Sequence, residues 1–118
     1  MLLKSPIEEK IVWTTHSKEK LRQYRFSPKR VMRIYRKPDR REVGIAPKTV
    51  AAMQIVGTKK NPTEAWMMYS IIKQTLAGKK KVRIIRVISC WRYPGRTPIH
   101  ERPIIPLDTL EQINLISN

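Results

Sequence analysis

The chain is poor in several residue types. Its 118 residues include one cysteine, four glycines, two histidines and nine acidic side chains. A single cysteine excludes an internal disulfide, and a zinc site built on thiolates needs more than one. Cys90 lies in the apolar run Ile84–Trp91, which predicts a buried, inert thiol. With so few glycines there is no Walker loop, no dinucleotide glycine pattern and no Gly-x-Ser-x-Gly elbow, and no paired-carboxylate site stands out. No metal and no cofactor is therefore expected. No apolar stretch approaches a membrane span. The start, Met1-Leu2-Leu3-Lys4-Ser5-Pro6 followed by Glu8 and Glu9, is too short in apolar residues for a signal peptide. These absences predict a soluble, cytoplasmic protein with no membrane partner.

What the chain has in excess is positive charge. Twenty-five Lys plus Arg against nine Asp plus Glu give +16 at neutral pH. Compaction holds these charges together against their repulsion, so a neutralising partner is expected. Nucleic acid, RNA first, fits because each phosphate met by Lys or Arg releases a condensed counterion. An acidic protein or an anionic surface would satisfy the same electrostatics. The hydrophobic share of 41% is enough for one folded domain of this length.

Along the chain, Lys10–Thr14 is β-branched and aromatic, a short strand. Lys18–Arg25 patterns as a helix, with Leu21 and Tyr24 on one face and Thr15 or Ser17 as cap. Ser27-Pro28 is a sharper start signal, a capping serine before a proline at the first helical position. That helix runs to about Arg36 on an apolar face of Val31, Ile34 and Tyr35. Lys29, Arg30, Arg33, Arg36 and Lys37 leave its other face cationic, and Pro38 stops it. Strands follow at Arg41–Gly44 and Val50–Val56. Ala65–Thr75 is apolar enough to be a strand or a buried helix by period alone. Gly78 and Lys79-Lys80-Lys81 read as a hairpin turn, and Val82–Tyr93 as a strand apolar on both faces, hence central. Pro94, Pro98, Pro103 and Pro106 predict an extended surface-wrapping tail. Asp108–Ile116 patterns as a last short helix, capped by Asp108 with Glu111 three residues on. The expectation is one α+β domain over residues 1–93. Its N-terminal strand and two helices pack on a three- to four-stranded antiparallel sheet, and an irregular Pro-rich extension covers 94–118.

The segment Ile-Val-Trp-Thr-Thr-His-Ser-Lys-Glu-Lys-Leu-Arg-Gln-Tyr-Arg-Phe-Ser, the later Lys-Pro-Asp-Arg-Arg-Glu-Val-Gly and Val-Arg-Ile-Ile-Arg-Val-Ile-Ser-Cys-Trp-Arg together resemble the small BrnT-related proteins. The likeness covers about Lys10 to Tyr93. It departs from the pattern around Ile45–Thr49, in the length of Ala65–Thr75 and in the C-terminal extension. The resemblance implies a RelE-like toxin fold, metal-independent endoribonuclease activity and an acidic antitoxin partner. The alternatives are a non-catalytic nucleic-acid-binding module, or a basic module that docks an acidic protein.

Cleavage at a 2′-hydroxyl needs a base, a cation for the phosphate and an acid for the leaving oxygen. His16, beside Lys18, Lys20 and Arg22 at a helix start, is the first catalytic candidate; the alternative is that it caps or packs. Arg92 and Tyr93, at the end of the central strand, complete the catalytic set. Lys18, Lys20, Arg22, Arg25, Arg96 and the Lys79, Lys80 and Lys81 cluster are candidate phosphate contacts, with a solvated surface as the other reading. Arg86 interrupts an apolar strand and either reaches a cleft or pairs with Glu42 or Glu64. Trp13, Trp66 and Trp91 could stack bases, although core positions suit them better.

Overall fold

A computed structural model describes residues 7–43, 47–77 and 80–117. The elements run β1 (Ile7–Trp13), α1 (Thr15–Tyr24), α2 (Pro28–Arg36), β2 (Arg40–Val43), β3 (Val50–Gly57), β4 (Pro62–Ala77), β5 (Lys80–Pro94) and α3 (Leu107–Ser117). The class is α+β, as expected.

The sheet differs from expectation. Among the described residues it has five strands in the order β1-β5-β4-β3-β2. Strands β2 to β5 form an antiparallel meander, whereas β1 pairs parallel with β5, Ile7 opposite Lys81 and Trp13 opposite Val87. The sheet is therefore mixed, and the N-terminal strand belongs to it. The reason lies in β5. A strand apolar on both faces belongs in a sheet interior, and its backbone groups need ladder partners on both edges. β4 fills one edge and β1 fills part of the other. Ala65–Thr75 is likewise strand throughout, within β4.

Thr14 links β1 to α1. Its backbone N–H and hydroxyl both donate to Val87 O (3.3 and 3.1 Å), extending the strand ladder. Its hydroxyl oxygen also accepts from Ser17 N at 3.0 Å, so Thr14 is the cap, one residue before Thr15. Arg25 closes α1 in the left-handed region at φ 57°. Ser27 accepts from Arg30 N at 3.1 Å and Pro28 opens α2, as the sequence predicts.

Two apolar layers enclose the sheet. Under α1 and α2 lie Val31, Ile34, Tyr35, Ala52, Met67, Ile85, Val87 and Cys90. On the opposite face Trp66 and Trp91 stack with centroids 6.0 Å apart, joined by Met53, Met68, Ile88 and Ile113 of α3. A register shift opposite Met68 and Tyr69 leaves Ile88 without a partner residue in β4. Such a bulge lets neighbouring residues share one face. Ile88 packs in the α3-side layer, and Ser89 shares a 2.8 Å hydrogen bond with Thr109 of α3.

Residues 95–106 carry no regular structure, as expected of their prolines. Yet the tail contributes to the core through Ile105, Thr109 and Ile113. Glu64, fully buried, accepts from Trp66 Nε1 (3.1 Å), Thr97 N (3.0 Å) and Thr97 Oγ1 (2.5 Å). Arg40 donates to the carbonyls of Thr97 and Glu101. Asp108 does not cap α3: Pro106 O receives Thr109 N and Leu110 N, and the Asp108 carboxylate pairs with Lys20.

Candidate nucleic-acid interface

The sequence-predicted catalytic residues do not share one site. Arg92 and Tyr93 are adjacent in β5 and face opposite sides of the sheet. Arg92 Nε donates to Tyr24 O at 3.1 Å, and its guanidinium lies 4.2 Å from the Phe26 ring centroid on the helix side. Tyr93 packs with the Trp66–Trp91 layer. Burial pulls the Arg92 pKa down, aided by the charge of Arg30. His16 is buried to 9% exposure with Nε2 unpartnered, in the field of Lys20 and Asp108.

The predicted phosphate contacts are dispersed. Lys18, Arg22, Arg25 and Arg96 are exposed, and so is Lys81. Lys20 is 4% exposed and engaged by Asp108 and by Gln23 Oε1 at 2.8 Å. Lys79 lies outside the described residues, as does the side chain of Lys80. Arg86 reaches a cleft. Glu42 is bonded to Arg40 at 2.6 Å and Glu64 is filled by Trp66 and Thr97, so neither is its partner. The cleft, about 340 Å³, also has Ser70, Ile72, Lys48 and Ile113 in its walls. Cys90 is buried and its thiol is pushed up to about 12 by desolvation, which leaves it inert near neutral pH.

The structure instead gathers cations along α2. A groove of about 620 Å³ runs between α2 and β1. Lys29, Arg33, Arg36 and Lys37 line it together with Ile11, Trp13, Pro28 and Met32, and no acidic residue does. Lys29, Arg33 and Arg36 are spaced four and three residues apart in α2, so they stack on one helix face; each like-charged pair costs about 0.2–0.5 kcal/mol. The first turn of α2 has no acidic residue to offset the helix dipole. The helix is held despite this repulsion by its buried face, Val31, Ile34 and Tyr35. Bound anion would relieve the repulsion.

Arg36 also lines a second, smaller pocket of about 230 Å³ with Glu9, Tyr35, Arg41, Tyr69 and Arg83. The sheet register builds it: Glu9 of β1 lies opposite Arg83 of β5, while Arg41 and Tyr69 come from β2 and β4. Arg83 Nη1 donates to the Tyr35 hydroxyl at 3.4 Å, and the rings of Tyr35 and Tyr69 meet edge-on at 4.9 Å. Burial pushes both tyrosine hydroxyls up, so both stay protonated near neutral pH. The hydrogen bond with Tyr35 holds the Arg83 pKa up. Glu9 Oε2 and Arg83 Nε are shielded from solvent without a partner. A polar atom left so costs about 1–3 kcal/mol. Among the described residues the ion pairs are Lys20–Asp108 and Arg40–Glu42, so Glu9 makes none.

These residues escaped the sequence reading. The cationic face of α2 was legible, but its partner across the groove, β1, was not. Arg83 interrupts the same apolar strand as Arg86, and that was the available signal. The chain matches no family model, no curated protein and no solved structure, so the reading of the site rests on its own geometry.

Proposed function

We propose that this protein binds single-stranded RNA in the groove between α2 and β1. The observation that carries the reading is the groove itself: four cations, no acid, and Trp13, Met32 and Ile11 as an apolar floor. Cations tracking a phosphate backbone beside an aromatic that accepts a base face are the usual elements of single-strand recognition. A duplex would need an element that enters a groove or spans two of them. The α2 cations instead face a groove whose other wall is Ile11 and Trp13 of β1, which favours a single strand.

The resemblance to BrnT-related toxins points the same way, to RNA and to a RelE-like sheet. It also implies an acidic antitoxin-like protein, which would compete for the same cations. The test is titration of a fluorescent oligoribonucleotide at increasing salt. Logarithmic affinity should fall linearly with logarithmic salt, at about 0.7 per phosphate contact, which gives a slope near −2 to −3 for four cations. Absence of binding at low salt, or binding that salt does not weaken, would remove the reading.

A further inference from the structure

We infer that the cleft around Arg86 binds a small carboxylate that carries an aliphatic body. The site lies on the face of the sheet opposite the cationic groove, so it does not depend on RNA binding. Ile88 and Ile113, which line the cleft, belong to the α3-side layer. Ile11 and Trp13 of the groove pack with the layer under α1 and α2.

Two irregularities of the sheet shape the cleft. The β4–β5 ladder pairs Ser70 with Arg86. On one side of that pair a register shift leaves Ile88 of β5 without a partner, and on the other a second shift leaves Ile72 of β4 without one. A bulge bends its strand, raises the local twist and re-aims side chains, and bulges are common beside functional sites. Both bulged residues line the same cavity as Ser70 and Arg86, and the consecutive residues Ile71 and Ile72 both reach its wall. Thr49, just before β3, and Ile113 of α3 complete the lining.

The chemistry of the walls selects the ligand. Among the described residues Arg86 makes no ion pair, and no acidic side chain lines the cleft. Arg86 is half-buried in a strand that is otherwise apolar, where a cation without a counter-ion is costly. An ionised carboxylate meets the planar fork of an arginine through two parallel hydrogen bonds. The Ser70 hydroxyl offers a further donor from the neighbouring strand, and exposed Lys48 adds a second positive charge. The rest of the wall is isoleucine. A phosphate or a nucleotide would set charge and polar edges against these side chains. An aliphatic chain instead gains by covering Ile71 and Ile72, which are exposed in the free protein. The volume of about 340 Å³ lies at the small end of ligand cavities, about 300–1,000 Å³, and suits a short chain.

The test titrates octanoate into the isotope-labelled full chain, followed by NMR. The signals of Ile72, Ile88 and Ile113 should shift saturably. Octanol has the same chain without the charge, and acetate has the charge without the chain; each should bind at least about tenfold more weakly. Arg86→Gln should weaken octanoate binding by at least about tenfold. Arg33→Glu changes the net charge by more, yet lies in the groove, and should keep octanoate affinity within about threefold. Ile72→Glu sets a negative charge in the wall at an exposed position, so it decides the matter if Arg86→Gln fails to fold; it should abolish saturable binding. Octanoate affinity unchanged in either cleft variant would overturn the inference. So would shifts that never saturate or that spread evenly over the surface. Acetate bound as tightly as octanoate would also overturn it, by showing a site for bare anions.

Discussion

Lys20 and Asp108 form an ion pair that fastens α3 to α1. Lys20 lies among the buried residues of its helix, while the Asp108 side chain is 46% exposed. An exposed partner makes the pair itself a weak contributor. The larger effect is what removal leaves behind, a buried ammonium that keeps Gln23 Oε1 as hydrogen-bond partner and the Tyr24 ring 5.5 Å away. Asp108→Asn should destabilise the fold by about 1–2 kcal/mol in chemical denaturation. An unchanged midpoint would show that Lys20 finds solvent without cost.

The same corner sets an acid sensitivity. Burial pulls the His16 pKa below 6.5, outweighing the opposing charge of Asp108. The unfolded chain then takes up this proton more readily than the folded one, so stability falls as pH drops below 6.5. For Asp108 burial pushes the pKa up, but the hydrogen bond and charge of Lys20, with His16 and Thr109 N–H, bring it below 3.8. Its contribution is present above 3.8 and is lost as pH falls through the lower, folded value. Urea midpoints measured from pH 7 to pH 3 should fall in two stages. His16→Asn should flatten the first stage; an equal fall in that variant would assign it to other groups.

Glu64 anchors the tail. It accepts three hydrogen bonds, two of them from Thr97, with no exposed surface. Glu64→Ala leaves the donors of Trp66 and Thr97 unpaired and opens a void, a loss of about 2–4 kcal/mol. Limited proteolysis should then cut within residues 95–106 faster than in wild type. Resistance equal to wild type would mean that Arg40 and Ile113 hold the tail unaided.

Trp13 is half-buried against the helix-side core and lines the cationic groove. Trp13→Leu keeps an apolar side chain there and removes the stacking face. RNA affinity should drop by about 1–3 kcal/mol per base stacked, roughly 5- to 150-fold, with thermal stability only modestly lower. Unchanged affinity in the folded variant would place the bases elsewhere.

Much of the fold was legible along the chain. Ser27-Pro28 marked α2, because capping geometry is local. The two-sided apolarity of Val82–Tyr93 marked the central strand. The parallel pairing of β1 was not legible, since it depends on which strand fills the free edge of β5. The same gap hid the pocket. Glu9 and Arg83 are 74 positions apart and meet only through that register. Lys20 read as a phosphate contact and Asp108 as a helix cap because nothing local reveals that the two pair. Arg92 and Tyr93, adjacent in sequence, read as one site. Strand alternation sends them to opposite faces, a rule that the assignment of Val82–Tyr93 as a strand already contained.

The most direct test of the account exchanges charge at two places equally. Arg33→Glu with Arg36→Glu alters the groove, and Lys59→Glu with Lys60→Glu alters the exposed β3–β4 turn by the same net charge. Affinity for a short oligoribonucleotide should fall at least about tenfold in the first and less than about threefold in the second. Equal losses in both would mean that RNA answers only to overall charge, and the groove would have no special role.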